Sequence, residues 1–429
     1  MKKRKFIAGL FAAILAVATA SSAQIGLQPA PHTIAVRAGN VIDPATGAIA
    51  KNQVIIVENG RIKSVGASTA IPADAQMIDL SQEWVIPGLM DAHTHITFEM
   101  PVGVPFESSY LEESSAHRAL RGLKNAQDML WAGFTAVRDV GNDANYASID
   151  VRRVIVAGWF DGPTIQTSGK IISPFGGQSK HFPPETGPFW RWEYVDADGE
   201  QAIRHAVRQN IYYGTDLIKL VADNGPYHYS VEEIRAAVDE AHHANRPVAV
   251  HVVGGEAARN VIEGGADSVE HAFDFDDDLL SLTKAKGIFM VGTDFPLEHL
   301  KRMAGAKADP AVSEKEHDKI VHRLRRAHEL GVKVTCGSDC VDELPNHTRA
   351  DMMLDYLAEY TAAGIPPAAI LKYWITNPAT LMRLDKERGS IAAGFAADII
   401  ATPASPLDDP QNLRKVNLVM KDGKIIRKP

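Results

Sequence analysis

Two histidines on one side of an extended segment are the first candidates for chemistry. His93 and His95 close the run PGLMDAHTH. Side chains two positions apart in a strand point to the same face, so both imidazoles can reach one divalent cation. The motif alone is weak, because paired surface histidines have the same spacing. It predicts half of a metal site and requires further ligands.

A lysine within an apolar strand is the second candidate. Lys219 lies in the run GTDLIKL, where a buried ammonium is costly unless it is paired. In one interpretation the side chain extends to the rim and keeps its charge in water. In the other, burial lowers the pKa of Lys219 until its neutral amine takes up carbon dioxide. The resulting carbamate is an anionic oxygen ligand that can bridge two cations.

Three more donors stand at the ends of separate predicted strands. His251 ends the run PVAVH, His271 ends SVEH, and Asp339 ends CGSD. A single residue of this kind usually packs or hydrogen-bonds. In a barrel, however, all these strand ends meet at one mouth, where active sites are built. The sequence therefore predicts a metal site from six residues: His93, His95, Lys219, His251, His271 and Asp339.

Alternating strands and helices are expected to position these donors. The strands are predicted at 85–89, 134–140, 164–168, 216–221, 247–252, 267–271, 288–291 and 333–336. Helical periodicity is found at 115–132, 200–212, 231–245, 256–263 and 314–330. This order predicts an α/β fold with a closed (β/α)8, TIM-like barrel. An open doubly wound sheet is the alternative, but no Gly-rich phosphate turn follows the first strand.

Both ends of the chain are typical of β hairpins. Asn59-Gly60 and Asp422-Gly423 each separate two short apolar runs, which is a strong hairpin signal. We expect the two ends to form one small β-sandwich domain. The predicted division is a signal peptide at 1–23, the β domain at 24–86 and 391–429, and the barrel at 87–390. The Pro- and aromatic-rich stretch 172–193 lacks helical period and is expected to be a functional loop.

The first residues predict export. Residues 2–5 are basic, residues 6–18 are apolar, and small residues follow to Ala23, as in a cleavable secretory signal. The apolar run is short for a membrane span, which needs about 20 residues, and an uncleaved anchor is the alternative. We therefore expect a periplasmic or extracellular protein without a membrane span after signal removal. The formal net charge of −8 argues against nucleic-acid binding.

Cys336 and Cys340 are the two cysteines of the chain. They could form a disulfide, but the run reads as the end of a strand, which favours two buried thiols. A single C-x3-C is a weak metal signal.

In order and content, these motifs resemble the amidohydrolase superfamily, in its binuclear branch with a carboxylated lysine. The chain is similar to the imidazolonepropionase-related subgroup that includes exported Xaa-Pro dipeptidases, carboxypeptidases and ochratoxin-hydrolysing amidohydrolases. The resemblance spans nearly the whole mature chain. It is carried by PGLMDAHTH, TAVRDVG, GTDLIKL, RPVAVHVVG, DSVEHA, CGSD, TNPAT and GSIAAGFAADII.

The resemblance implies a role for each donor. His93 and His95 would hold the more buried metal with Asp339, and His251 and His271 would hold the second. Carboxylated Lys219 would bridge the two ions, which would share a hydroxide. Asp339 would be the catalytic residue that takes a proton from the hydroxide and passes it to the leaving amine. Nitrogen and oxygen donors fit two zinc ions, with cobalt, manganese and iron left open.

Five residues near the predicted mouth are candidate substrate contacts. Two departures from the relatives put substrate identity in doubt: Val253 stands where many have a histidine, and their histidine after a Gly-Gly pair is matched only by the displaced His181. Arg138 is expected to pair with Asp139 and is also a possible contact. The candidates are His181, Tyr227, His228, Arg138 and His347.

The sequence thus predicts an exported metal-dependent hydrolase that acts on a small-molecule amide. The first choice is a dipeptide or an N-acyl amino acid with a free carboxylate. Opening of a cyclic amide or lactone is the alternative on the same site, and a non-catalytic metal-binding secreted protein is the third. A deaminase fits less well, because such sites usually keep one metal and lack the bridging lysine. A homo-oligomer is left open.

Overall fold

The computed structural model describes residues 33–428, except 102–103, 106, 142, 224–226, 306–307 and 344–346. The predicted signal at 1–23 lies outside the described residues. The strands are β1 (Ile34–Ile42), β2 (Ile49–Glu58), β3 (Arg61–Gly66), β4 (Gln76–Pro87), β5 (Leu89–Thr94), β6 (Met100–Pro101), β7 (Phe134–Asp139), β8 (Thr164–Thr167), β9 (Ile171–Ser173), β10 (Tyr194–Asp196), β11 (Ile218–Val221), β12 (Val248–Val252), β13 (Ser268–His271), β14 (Phe289–Val291), β15 (Lys333–Thr335), β16 (Asp342–Glu343), β17 (Ile399–Thr402), β18 (Leu418–Lys421) and β19 (Lys424–Arg427).

Helices separate most of the central strands. They are α1 (Ser108–Glu112), α2 (Ser115–Trp131), α3 (Ala147–Val156), α4 (Glu200–Tyr213), α5 (Val231–His243), α6 (Gly255–Gly264), α7 (Asp277–Lys286), α8 (Leu297–Ala304), α9 (Pro310–Leu330), α10 (Arg349–Asp355), α11 (Leu357–Ala362), α12 (Pro367–Leu371) and α13 (Asn377–Leu381). Within the described part of the chain, none is both long and apolar enough to cross a membrane.

The two ends of the chain meet in one sheet. Its strand order is β19-β18-β17-β4-β1-β2-β3, and the β4–β17 pair is antiparallel, with Val85 opposite Ala401. One apolar core cluster draws on both ends, from Val36 to Met420. The described strands hydrogen-bond as a single sheet, so the two-layered sandwich stays a prediction.

Both predicted hairpins are confirmed. Antiparallel pairs join β2 to β3 and β18 to β19. The turn residues have left-handed backbones, with φ of 51° at Asn59 and 78° at Gly60, and 46° at Asp422 and 75° at Gly423. Two positive φ values in a row match the twist of a tight hairpin, which is why Asn-Gly and Asp-Gly occur there.

The central strands form parallel sheets. One has the order β5-β7-β8, and the other has the order β10-β9-β11-β12-β13-β14-β15. Backbone hydrogen bonds connect their edges: Ala92 donates to Cys336 at 3.0 Å, and Asp216 donates to Thr167 at 2.8 Å. The fold is α/β, and these links support the predicted closed barrel.

The first barrel strand was predicted at the wrong place. We expected it at 85–89, but Val85 belongs to β4 of the terminal sheet, and β5 begins at Leu89. Gly88 separates the two strands and packs so closely that a Cβ there would lie 2.2 Å from the Thr135 side chain. The apolar run is continuous because the chain passes from one core directly into the other.

Two other expectations need smaller corrections. Helix α9 begins at Pro310, before the predicted 314, because the Asp309 side chain caps its first turn and proline suits that position. The stretch 172–193, expected to be a loop, starts within β9 and contains two short 3₁₀ helices, Pro184–Thr186 and Phe189–Trp192.

Cys336 and Cys340 are free and buried, as predicted.

Candidate metal centre

The structure brings the predicted metal ligands to the carboxyl end of the parallel strands. Because neighbouring strands run parallel, residues at their ends share one edge of the sheet. They line a cavity of about 490 Å³. The ligand candidates in its wall are His93, His95, Lys219, His251, His271 and Asp339.

Asp339 lies between the histidines of two different strands. Its Oδ1 is 3.2 Å from Nε2 of His95 and 3.6 Å from Nε2 of His93. Its Oδ2 is 3.7 Å from Nδ1 of His271. Ligand atoms of His93, His271 and Asp339 all lie within 4.8 Å of one another. This spacing is suited to holding a cation, since one ion can contact all three donors.

A buried ion pair orients His93. The Nδ1 of His93 is 2.7 Å from a Glu270 carboxylate oxygen. The other oxygen of Glu270 accepts a hydrogen bond from Arg138 at 2.7 Å, and all three side chains are at most 1% exposed. The carboxylate thus directs Nε2 of His93 toward the cavity, as outer partners of metal-binding histidines do.

The hydrogen bonds of His95 leave two acceptors facing each other. Its Nδ1 lies 2.8 Å from the carbonyl oxygen of Gly141 and must donate to it. The neutral ring therefore presents a lone pair to Asp339 at 3.2 Å. A cation between them, either a proton or a metal ion, removes this repulsion. Although burial opposes protonation, the hydrogen bond and charge of Asp339 raise the pKa of His95.

The other histidines are kept neutral. Burial, together with the charge of Lys219, lowers the pKa of His93 to about 4 and that of His251 to about 3. Burial also lowers the pKa of His271 well below its usual value. A neutral imidazole is the form that binds a metal. For Asp339, burial acts in the opposite direction, but His93 and His95 hold its pKa below the usual value, so it is a carboxylate.

Lys219 is buried, and its Nζ has no hydrogen-bond partner in the part of the chain that the structure describes. Its side chain is in β11 and 2% exposed. Burial lowers the pKa of Lys219 to about 8, although Glu270 and Asp339 oppose the shift. The neutral amine required for reaction with carbon dioxide is therefore accessible near neutral pH. The Nε2 of His93 likewise finds no hydrogen-bond partner within the described ranges. Two unsatisfied buried nitrogens in one cavity fit a site in which His93 binds a cation and Lys219 carries a carbamate.

Three residues at or next to the same cavity have left-handed backbones. His271 and Asp339 have left-handed backbones, with φ of 74° and 50°. Thr293, whose hydroxyl is 2.8 Å from Nδ1 of His271, has φ of 42°. Such conformations are costly for residues with a side chain and persist mainly at functional sites.

Asp223 is a site residue that the sequence did not reveal. It follows β11, and its buried Oδ1, which has no hydrogen-bond partner among the described residues, is 3.4 Å from Nε2 of His251. Its other oxygen accepts a hydrogen bond from the Val253 backbone at 2.6 Å. Asp223 is therefore placed to orient His251. Its only sequence signal was its position at the end of a strand.

The predicted substrate contacts lie outside the metal cavity. Arg138 is a correction: it is 1% exposed beneath the cavity and pairs with Glu270, not with Asp139. His181 and Tyr227 line a second cavity of about 660 Å³. His228 is exposed. His347 is exposed and lies just before α10.

Other residues take their place in the metal cavity. Glu107, Gln178, Ser179 and Lys180 contribute to its wall. Gln178 to Lys180 belong to the stretch that we predicted to be a functional loop. Glu107 had no sequence signal, since it precedes the short helix α1.

The family model described as "Amidohydrolase family" matches residues 84–426. An ochratoxinase from Aspergillus niger is 27% identical, over 95% of this chain and 92% of its own length. A crystal structure of a Xaa-Pro dipeptidase with bound methionine has a TM-score of 0.80 and 26% identity, covering 92% of this chain and 99% of that one. A prolidase complexed with N-methylphosphonate-L-proline has a TM-score of 0.81 and 25% identity, covering 92% and 100%.

Proposed function

The chain belongs to the amidohydrolase family and is a hydrolase that acts on amide bonds, and we propose that it does so with two divalent metal ions on a closed (β/α)8 barrel. The proposed substrate is a dipeptide or an N-acyl amino acid with a free carboxylate. Zinc is the proposed metal, and a carbamate on Lys219 is the proposed bridge. Export through the signal at 1–23 is part of the same proposal.

The geometry of His95 is the main observation that supports a metal site. Its Nε2 lone pair and a carboxylate oxygen of Asp339 face each other at 3.2 Å, because Nδ1 is committed to the Gly141 carbonyl. The unpartnered Nζ of Lys219 and Nε2 of His93 in the same cavity add to the argument. A metal set of His93, His95 and Asp339, with a second set of His251 and His271, would satisfy these atoms.

When bound, the two ions would supply a nucleophile at neutral pH and polarise the amide carbonyl. Residues of the chain would transfer the proton and hold the metal ligands in place. Asp339, held ionised by the neighbouring histidines, can accept a proton from the attacking water. It can then donate that proton to the nitrogen of the breaking amide bond, so that the amine leaves in neutral form. Glu270 and Asp223 keep the rings of His93 and His251 in place.

The relatives favour the substrate class. Ochratoxinase, Xaa-Pro dipeptidase and prolidase are the names of proteins that this chain resembles along most of its length. The ligand in the prolidase structure is N-methylphosphonate-L-proline, and the ligand in the dipeptidase structure is an amino acid, methionine. Both ligands contain a free carboxylate, which supports the proposed substrate class.

A product screen tests this proposal. Metal-free protein would receive zinc and bicarbonate and then a panel of dipeptides, N-acyl amino acids and lactones, with products identified by mass spectrometry and metal counted by elemental analysis. We expect two zinc ions per chain and release of a free C-terminal amino acid. Opening of lactones alone would refute the amide substrate, and fewer than two ions in an active enzyme would refute the binuclear centre.

A further inference from the structure

One charged pair in the wall of the metal cavity has no part in the mechanism above. Glu107, immediately before α1, and Lys180, in the segment after β9, both line the cavity. Their contact joins two parts of the chain that are 73 residues apart in sequence. Neither belongs to the metal ligands or to the partners that orient them.

Glu107 holds Lys180 at two points. The Lys180 ammonium is 3.3 Å from one carboxylate oxygen, and the Lys180 backbone N–H donates to the other at 3.2 Å. The ammonium also lies 5.9 Å from the centre of the Phe182 ring. A lysine on a loop would otherwise sample many positions, so these contacts restrict where its charge can be.

The two members of the pair differ in what a ligand can reach. The Glu107 side chain is 6% exposed, whereas that of Lys180 is 61% exposed. The carboxylate is therefore covered, and the ammonium keeps N–H groups available for another acceptor. Among the described residues that line this cavity, apart from the ligand candidate Lys219, Lys180 is the one that carries a fixed positive charge.

We propose that Lys180 binds the carboxylate of the substrate, with Glu107 as the positioning residue that holds it. The proposal rests on the proposed amide hydrolysis and deepens it, because it assigns the residue that selects substrates with a free carboxylate. An ammonium contact to a carboxylate is a charge-assisted hydrogen bond, among the stronger polar contacts in proteins. With the carboxylate at Lys180 and the carbonyl at the metal ligands, a small amide would be fixed at two points in one cavity.

A matched pair of substrates tests the subsite. An N-acyl amino acid and its carboxamide differ only in the charge that Lys180 would recognise. We expect K180Q to lower kcat/KM for the acid by about 30-fold, mainly through KM, and to leave the carboxamide unchanged. K180R should recover part of the loss, and K51Q, an exposed lysine of β2, serves as the control. Added salt should raise KM for the acid in the wild type but not in K180Q.

A substitution of Glu107 provides a second test of the subsite. E107Q should cause a smaller loss for the acid, about fivefold, because Lys180 remains but is held less firmly. The thermal unfolding midpoint of each variant shows whether the fold is retained. If Glu107 instead bound the amine of a dipeptide, E107Q would affect dipeptides and spare N-acyl amino acids, and this result would overturn the assignment.

The subsite and the proposed function fail in different ways. Equal loss on acid and carboxamide in K180Q, or no loss on either, overturns the subsite while amide hydrolysis stands. Wild-type protein with two zinc ions that hydrolyses neither compound overturns the proposed substrate class. Calorimetric binding of the same two compounds then still tests Lys180, since the acid should bind more tightly to the wild type than to K180Q.

Discussion

Two neighbouring cavities share Ser179 and Lys180 in their walls but are built in opposite ways. The metal cavity takes its donors from the ends of parallel strands, and His93 is fully buried. The second cavity is lined largely by the segment from Pro174 to Phe182 and by Tyr227, which is 75% exposed. Donors for chemistry thus lie on strands or shortly after them, as His95 and Asp339 do, where positions are rigid, whereas the residues of the second cavity lie largely on loops.

The contacts that hold each cavity together differ accordingly. Behind the metal cavity, Arg138, Glu270 and His93 form a buried chain of charged hydrogen bonds. Around the second cavity, aromatic rings meet edge to face, with Phe175 and Trp190 at 5.2 Å. A buried charge that loses its partner is costly, whereas an exposed ring can be removed with little effect. The first cavity should therefore be intolerant of substitution and the second tolerant.

The largest effect is expected from D339N. The amide cannot take up and return the proton, so we expect kcat to fall by about 10³-fold. The exposed D408N, in the C-terminal segment, should leave kcat unchanged. Metal content measured on both variants shows whether the centre is retained. A D339N enzyme with metals and normal turnover would remove Asp339 from the mechanism.

The second-largest effect is expected at the buried ion pair of Arg138 and Glu270. E270Q leaves Arg138 without its counter-charge in the core, so the metal-free protein should lose about 3 kcal/mol of unfolding free energy. Denaturant titration measures this loss. E329Q removes a partner from an exposed pair with Arg326 and should cost less than about 0.5 kcal/mol. Equal costs for the two variants would contradict the proposed contrast between the buried and the exposed pair.

Asp223 tests how one histidine is oriented. D223N keeps the shape but loses the charge next to His251, so affinity for the second metal ion should fall about 30-fold while the first ion is retained. Competition with a chelator gives both affinities without any substrate. Unchanged affinity, or equal loss at both sites, would mean that Asp223 does not act through His251.

The lowered pKa of Lys219 predicts that carbamate formation depends on pH. The pKa of about 8 in the folded, metal-free protein means that the neutral, reactive amine increases as pH rises through 8. At a fixed concentration of dissolved labelled carbon dioxide, the initial rate at which the carbamate signal appears in ¹³C NMR spectra should rise about tenfold from pH 7 to 9 and then level off, because that rate follows the neutral amine. K219M should lack the signal. A rise centred near pH 10.5 would show an ordinary, solvated lysine.

The smallest effect is expected at the second cavity. Y227A removes an exposed ring and should change unfolding free energy by less than about 0.5 kcal/mol, with kcat within about twofold of the wild type. Thermal unfolding and steady-state kinetics measure both. Tyr212, also exposed, provides the matched control as Y212A. A large loss of kcat in Y227A but not in Y212A would show that the second cavity takes part in catalysis, and it would contradict the proposed difference between the two cavities.

The positions of His251 and His271 could be read from the chain, because apolar runs of strand length end at both residues. Asn59-Gly60 likewise predicted its hairpin, since the turn depends on local backbone preference. The start of β5 could not be read, because the apolar run from Val85 to Leu89 crosses from one sheet into another without a change in composition.

Strand ends carry local signals, and these signals predict from the sequence alone that the donors of the metal cavity lie together at one end of the predicted barrel. The partner of Arg138 is different: the sequence favours the adjacent Asp139, whereas the structure pairs Arg138 with Glu270, 132 residues away. Lys180 and Glu107 had no shared pattern either. Such pairs form because folding covers one carboxylate, Glu270 or Glu107, and brings a distant cation next to it. A covered charge must find an opposite charge, and that demand depends on burial and not on neighbouring residues in the chain.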